Sequence, residues 1–211
     1  MKEQRLQTLS SSLNLEKNKD LNLYPVILRV PRADTSPGGA SAVKTLSRFA
    51  RQALRISGER TGSYPRVLLK GEAGEPLASQ GVHWSIAHKP YFVAGVVSSS
   101  PAGIDLERPR PVSDSLFKRI LTPEELDCFG GNDRVEIFFR TFTSKEAVLK
   151  TMGVGLAGLA RVRVVGAPQT NTTLVDDGVN SYTVDHFWVD DHLASVVRGG
   201  GEVVWETVDS R

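Results

Sequence analysis

Cysteine is nearly absent: the 211 residues include one, Cys128. A single thiol excludes an internal disulfide framework and fits a reducing compartment, so a cytoplasmic location is expected. No apolar run approaches the roughly 20 residues a membrane-crossing helix needs. The amino-terminal stretch also lacks the apolar core of a secretory signal, so no membrane association is expected. Net charge is small, at +2, which gives no general attraction to nucleic acid. Asn171-Thr172-Thr173 matches a glycosylation sequon, but a cytosolic chain would not meet that machinery. What remains is enough chain to bury a sizeable core, as one large domain or two small lobes.

In order along the chain, Met1 to about Asn22 is polar and reads as an arm. Leu23–Val30 reads as a strand and Pro31–Ala40 as a loop; Ser41–Ile56 follows as a helix stopped by Gly58. That helix has an apolar face of Ala42, Leu46, Phe49, Ala50 and Ala53. On the other face Lys44, Arg48, Arg51 and Arg55 form a basic ridge with no acidic residue inside it. A solvated surface accounts for such a ridge as well as a phosphate landing site does. Val67–Leu69 and Tyr91–Ser98 read as strands, with a turn-rich Gly71–Pro76 loop after the first. Pro111–Leu121 and Pro123–Phe129 read as short helices, the second begun by Thr122-Pro123-Glu124-Glu125.

Beyond residue 160, Val162–Val165, Thr172–Val175, Ser181–Val189, Leu193–Val197 and Val203–Val208 alternate as strands. Asp185, His186, Asp190, Asp191 and His192 fall among them and read as loop and surface rather than a metal site. Gly153–Gly158 matches GxGxxG but follows a helix, without the strand-turn-helix setting of a dinucleotide loop. It reads as a helix stop and connector. The expected class is α/β (α+β): two similar lobes, each a long helix on a mostly antiparallel sheet. Residues 1–22 would be the arm, 23–100 the first lobe and 101–211 the second. The cleft between lobes is the expected site.

Two stretches carry chemistry. In Asn132–Met152, helical spacing places Val135, Phe138, Phe139, Phe142 and Leu149 on one apolar stripe. Glu146 falls inside that stripe, and Lys150 lies one turn further on the same face. An inward carboxylate costs several kcal/mol, in rough order, unless a cation compensates it. The helix alone leaves two readings open, a functional carboxylate or a Glu–Lys pair that only holds the helix in place. In Ala102–Glu107, an extended segment puts Asp105 and Glu107 on one side and Leu106 on the other. Paired acids repel unless a cation sits between them, and Mg²⁺ takes hard oxygen ligands of this kind together with substrate phosphates. A lone DxE is also common in exposed turns.

Together, GIDLE at 103–107 and FTSKEAVLK at 142–150 resemble the two signature motifs of the 4'-phosphopantetheinyl transferases, at the family's spacing. The chain's length is similar to the longer, monomeric, two-lobed group of that family. The resemblance implies a pseudo-twofold fold and a monomer. It also implies transfer of 4'-phosphopantetheine from coenzyme A to a serine of an apo acyl- or peptidyl-carrier protein. Asp105, Glu107 and Glu146 would hold Mg²⁺ (or Mn²⁺), with Glu146 the base for the serine hydroxyl, and Lys150, His88 and Lys89 would matter as cations.

The segment from His83 to His88 resembles a family element that ends in Ser-His; here Ala87 replaces the serine and Lys89 follows His88. A basic residue of the first long helix, Lys44 or Arg48, would meet the coenzyme's 3'-phosphate. The family's GKP triplet, whose lysine approaches the coenzyme phosphates, is Gly74-Glu75-Pro76 in this chain. That replacement leaves open backbone contacts with the coenzyme but puts an anion where the family has a cation. Two other readings stay open, a non-catalytic coenzyme A or carrier-binding module and a Mg²⁺-dependent phosphohydrolase.

Overall fold

The computed structural model describes residues 21–31, 40–72, 74–131 and 133–210. The expected arm (but for Leu21 and Asn22) and most of the 31–40 loop lie outside the described residues. The first half contains β1 (Val26–Arg29), α1 (Ala40–Thr61), β2 (Leu69–Lys70), β3 (Pro76–Leu77), β4 (His83–Lys89) and β5 (Phe92–Ser98). The second contains β6 (Ile104–Glu107), α2 (Asp114–Ile120), α3 (Pro123–Asp127), α4 (Arg134–Met152), a 3₁₀ turn at Leu156–Arg161, β7 (Arg163–Gln169), β8 (Thr172–Asp176), β9 (Ser181–Val189), β10 (His192–Val197) and β11 (Glu206–Asp209).

These strands form a four-stranded sheet in the order β11-β1-β5-β4, a five-stranded sheet in the order β6-β10-β9-β8-β7 and a β2-β3 pair. Pairing is antiparallel except between β1 and β11, so the last strand returns to the first sheet. Arg60 near the end of α1 fastens that return through a two-point contact to Glu206, 2.8 Å at each nitrogen. The mixed α+β class with largely antiparallel sheets is the expected one.

Period-two alternation sorts the side chains into layers. Phe92, Ala94 and Val96 of β5 share a core with Ile104 and Leu106 of β6 and Ala194 and Val196 of β10. Val93 on the other side of β5 packs with Leu46, Phe49, Ala50 and Ala53 of α1. Phe138, Phe139, Val148 and Leu149 of α4 pack on Val164, Val175, Val184 and Leu193 of the second sheet. The order is therefore helix, sheet, sheet, helix.

Two glycines set how closely each helix approaches. A Cβ on Gly95 of β5 would come within 2.7 Å of the Leu54 backbone nitrogen in α1. A Cβ on Gly103, just before β6, would collide with the Ala147 carbonyl of α4 and lie 2.6 Å from Thr151 Oγ1. Helix α1 runs past Gly58 to Thr61 instead of stopping there. An interior glycine costs a helix only about 1 kcal/mol relative to alanine, and here the missing side chain makes room for Tyr64 and the Ser63 carbonyl.

Helix α3 begins with the expected capping box, Thr122 and Glu125 bonding each other's backbone nitrogens. Helix α4 starts on Asp133, whose carboxylate accepts from the Val135 nitrogen, and ends on Gly153 in the left-handed conformation. The GxGxxG stretch is thus a helix stop followed by a 3₁₀ turn. Asp190 and Asp191 occupy an exposed turn, but Asp185, His186 and His192 are buried strand residues rather than surface ones. His186 sits between the hydroxyls of Thr173 (2.7 Å) and Ser195 (2.8 Å). Burial, then the Arg140 charge, lowers its pKa to about 3, so it stays neutral.

Candidate active site

Close packing of α4 on Gly103 brings the two signature stretches together. Asp105 projects from β6 on the side opposite Leu106 and is buried. Lys150 Nζ reaches it across the seam at 2.8 Å from Oδ1 and also donates to the Ile104 carbonyl at 2.8 Å. An ammonium has three donors, so one N–H of Lys150 remains for another partner. Glu107, on the same side of β6 as Asp105, is paired with Lys89 of β4 at 2.8 Å. Glu146 lies one turn before Lys150. Its Oε1 and the Oδ2 of Asp105 are buried without a hydrogen-bond partner.

Glu146 and Glu107 both feel the Asp105 charge. Burial raises the pKa of Glu146, and the charges of Asp105 and then Glu107 raise it further, against the pull of Lys150. Burial and Asp105 likewise raise that of Glu107, against its bond to Lys89. His88 is lowered by desolvation first and then by Lys150, Lys89 and Lys70. It is therefore neutral near pH 7, a hydrogen-bonding group in a cluster of lysines rather than the cation expected of it.

Among the described residues no group of three His, Cys, Asp or Glu side chains is gathered tightly enough to hold a metal. Lys150 bonds one oxygen of Asp105 and Lys89 one oxygen of Glu107. The donor set is nonetheless of the hard-oxygen class that Mg²⁺ takes. The orphaned oxygens of Asp105 and Glu146 are the atoms that a divalent ion would satisfy.

Beside these acids lies a cavity of about 330 Å³. It is lined by Glu146, Leu149 and Lys150 of α4, Gly153–Gly155 after it, Trp84, Ser85 and Ile86 of β4, Gly74, Glu75 and Pro76, and Lys70. The Gly74-Glu75-Pro76 loop therefore shares a cavity with the signature stretch on α4. Ala87 is buried in the core between the sheets. His88 lies on the exposed end of β4 next to Lys89.

Lys44 and Arg48 are exposed and do not line the cavity. Arg48 lies over the Phe49 ring at 4.8 Å. From the same ridge it is Arg51 that approaches, lining with Ser47 and Lys70 a small recess that shares Trp84 and Ile86 with the main cavity. Arg55 pairs with Glu59, so the ridge is not wholly unopposed.

Residue spacing shows the ridge but not which rung meets β4, since that depends on the rotation of α1. It also missed Ser85, whose hydroxyl accepts from the Ile104 nitrogen at 3.2 Å and ties β4 to β6. A third omission is the pair of Glu125 and Lys145, both buried, 2.6 Å apart. Lys145 also donates to the Ile120 carbonyl at 2.7 Å, and Glu125 accepts from the Val164 nitrogen at 2.8 Å. The pair binds α3 and the strand β7 to the helix that carries Glu146.

Residues 101–197, which hold Asp105, Glu107, Glu146 and Lys150, match the model of the 4'-phosphopantetheinyl transferase superfamily. Over that segment the chain is similar to that superfamily. Among curated members it is similar to the 4'-phosphopantetheinyl transferase gsp of Aneurinibacillus migulanus, 27% identical over 70% of this chain and 59% of that protein. It is 35% identical to the 4'-phosphopantetheinyl transferase HetI of a Nostoc species, over 45% of this chain and 43% of that one. To the 4'-phosphopantetheinyl transferase Sfp of Bacillus subtilis it is 31% identical, over 41% of each chain. The matched part of this chain thus spans about half the length of these superfamily members. Among the described residues no helix is long and apolar enough to cross a membrane.

Proposed function

We propose that this chain transfers the 4'-phosphopantetheine group of coenzyme A to a serine of an apo acyl- or peptidyl-carrier protein and releases 3',5'-ADP. The observation that carries the proposal is that Glu146 and Lys150 line one cavity, with Asp105 bonded to Lys150 and Glu107, paired with Lys89, on the same side of β6. Burial and the Asp105 charge raise the proton affinity of Glu146 and Glu107, and a doubly charged cation with a pyrophosphate is the partner that offsets this cost. Asp105, Glu107 and Glu146 would hold Mg²⁺, or Mn²⁺ in its place. Bound there, the ion supplies charge neutralisation at the pyrophosphate.

The remaining work falls to side chains. Glu146, its proton affinity raised by burial, accepts the proton of the carrier serine. The serine oxygen bonds to the phosphorus that bears pantetheine, and the bond from that phosphorus to the bridging oxygen breaks. The electron pair leaves with 3',5'-ADP. Lys150, held by Asp105 and the Ile104 carbonyl, directs its third N–H at the phosphates and offsets charge there. His88 donates a neutral hydrogen bond, and Lys89, when it gives up Glu107, is a second cation.

Incubation with coenzyme A, Mg²⁺ and an apo-carrier, followed by weighing the carrier, tests the proposal. Transfer adds one phosphopantetheine to the carrier. Coenzyme cleavage with an unchanged carrier makes the protein a phosphohydrolase, and binding without either makes it a binding module. The proposal includes a monomer in the cytoplasm, to be checked by light scattering and cell fractionation.

A further inference from the structure

Glu75 is an anion in a cavity proposed to receive a polyanion. Its position is fixed rather than incidental. The Gly71 nitrogen donates to the Glu75 carbonyl at 2.9 Å and the Gly74 nitrogen to the Gly71 carbonyl at 3.0 Å, closing the turn between β2 and β3. Gly74 makes that turn with φ +84°. The carboxylate lies directly over the α-carbon of Gly71, where any Cβ would collide with it. The Glu75 stem also touches the site of a Cβ on Gly153, at the end of α4. Confined in this way, Oε2 is buried and has no hydrogen-bond partner.

A buried carboxylate oxygen without a donor is costly, and what enters the cavity decides whether the cost is relieved. A phosphate brings no hydrogen-bond donor and repels the group. An uncharged N–H or O–H brings the donor and no repulsion. Lys150 and Lys70 line the same cavity, so phosphates that enter it have cations to meet. Building on the proposed transfer from coenzyme A, we infer that Glu75 is a specificity-determining residue. It accepts a hydrogen bond from an uncharged N–H or O–H of the coenzyme and leaves the phosphates to Lys150 and Lys70.

Coenzyme A offers such donors in two places, the adenine amine and the amides and hydroxyl of the pantetheine arm. Calorimetry of the full chain with coenzyme A and with 3',5'-ADP, which lacks the arm, separates them. Glu75→Ala is expected to weaken coenzyme A binding about tenfold, the equivalent of one hydrogen bond to a charged acceptor. Glu75→Gln, which keeps an acceptor of the same shape, is expected to stay within about threefold of the unaltered chain. In transfer assays the Ala variant should raise KM and leave kcat nearly unchanged, since the contact is made equally in ground and transition states.

If the Ala variant loses affinity for coenzyme A alone, the donor is on the arm; if for both ligands, it is on the adenine. Unchanged or tighter coenzyme A binding in the Ala variant overturns the inference and makes Glu75 a repulsive group only. An unaltered chain that neither binds nor uses coenzyme A removes the parent proposal as well, a result distinguishable from failure of Glu75 alone.

Discussion

Replacing Glu146 by Gln should move stability and activity in opposite directions. Glu146 is partly buried, Oε1 has no partner, and Asp105 and Glu107 oppose its ionisation. Gln keeps the shape, removes the charge and offers an amide donor to the neighbouring acids. Relief of an unsatisfied buried group is worth about 1–2 kcal/mol here, the lower part of the usual range because one edge of the residue meets solvent. For a chain of this size that raises Tm by roughly 3–6 °C. The gain belongs to neutral pH without divalent metal. A carboxyl whose folded pKa is raised contributes stability that is full below its unfolded pKa and is lost as pH rises through the folded one. The unaltered protein should therefore gain on the Gln variant as the buffer is acidified from neutrality toward the ordinary carboxylate range, and the gap should close. Mg²⁺ should stabilise the unaltered protein and leave the variant nearly unmoved, while transfer falls by at least about 100-fold. Thermal melts in chelator and in Mg²⁺, at neutral and mildly acid pH, read all of this without a turnover assay. A variant less stable than its parent in chelator at neutral pH would refute the reasoning, because Glu146 would then be making a contact that holds the fold.

Lys150→Met should cost transfer about 100-fold or more through lost charge at the phosphates, with a folded far-ultraviolet spectrum retained; unchanged turnover would detach this residue from the chemistry. Glu125→Ala strands the Lys145 ammonium, which is buried with one remaining acceptor. Denaturant unfolding should show a loss of about 3–5 kcal/mol, and a loss under about 1 kcal/mol would mean that water reaches the pair. Gly103→Ala and Gly95→Ala are matched perturbations, each pushing a helix from a strand, and each should destabilise by about 1–3 kcal/mol. Only Gly103→Ala shifts Lys150 and Glu146 against Asp105, so kcat of the folded fraction should drop in that variant and hold in the other.

The parts of the molecule legible in the sequence are those whose cause is local. Period-two alternation put Asp105 and Glu107 on one side of β6, and Thr122 with Glu125 marked the start of α3. The stripe on α4 was read correctly for Phe138, Phe139 and Leu149, which are buried, and half so for Val135 and Phe142. What the stripe concealed is that α4 is enclosed on nearly every side, with Thr141, Thr143, Ser144 and Lys145 buried as well. Their partners include Glu125, His186 and Ser195, 20 to 52 positions away, and no periodicity within the helix announces them. The basic ridge on α1 failed as a guide to the cavity for a related reason. Spacing fixes which side chains share a face, whereas the rung that meets β4 depends on how α1 sits on Gly95.

Unmet buried polar atoms also occur at Arg140, Thr141 and His192, but among the described residues the unmet carboxylate oxygens are confined to the site. Buried polar groups in α4 are mostly matched within the protein: Thr143 donates to the Phe139 carbonyl at 2.7 Å, Ser195 to Thr143 at 2.6 Å, and Lys145 to Glu125. Among the described residues, the buried carboxylate oxygens that lack a partner are those of Glu75, Asp105 and Glu146. Two of these acids line one cavity, and the third is bonded to Lys150 in its wall. Chance would scatter such atoms, and selection for stability alone would remove them, since a neutral side chain at any of the three is cheaper to bury. Their concentration around one cavity marks a place where the folded chain is incomplete by itself. A multiply charged ligand with hydrogen-bond donors at one end and a divalent ion at the other is the kind of occupant that completes it.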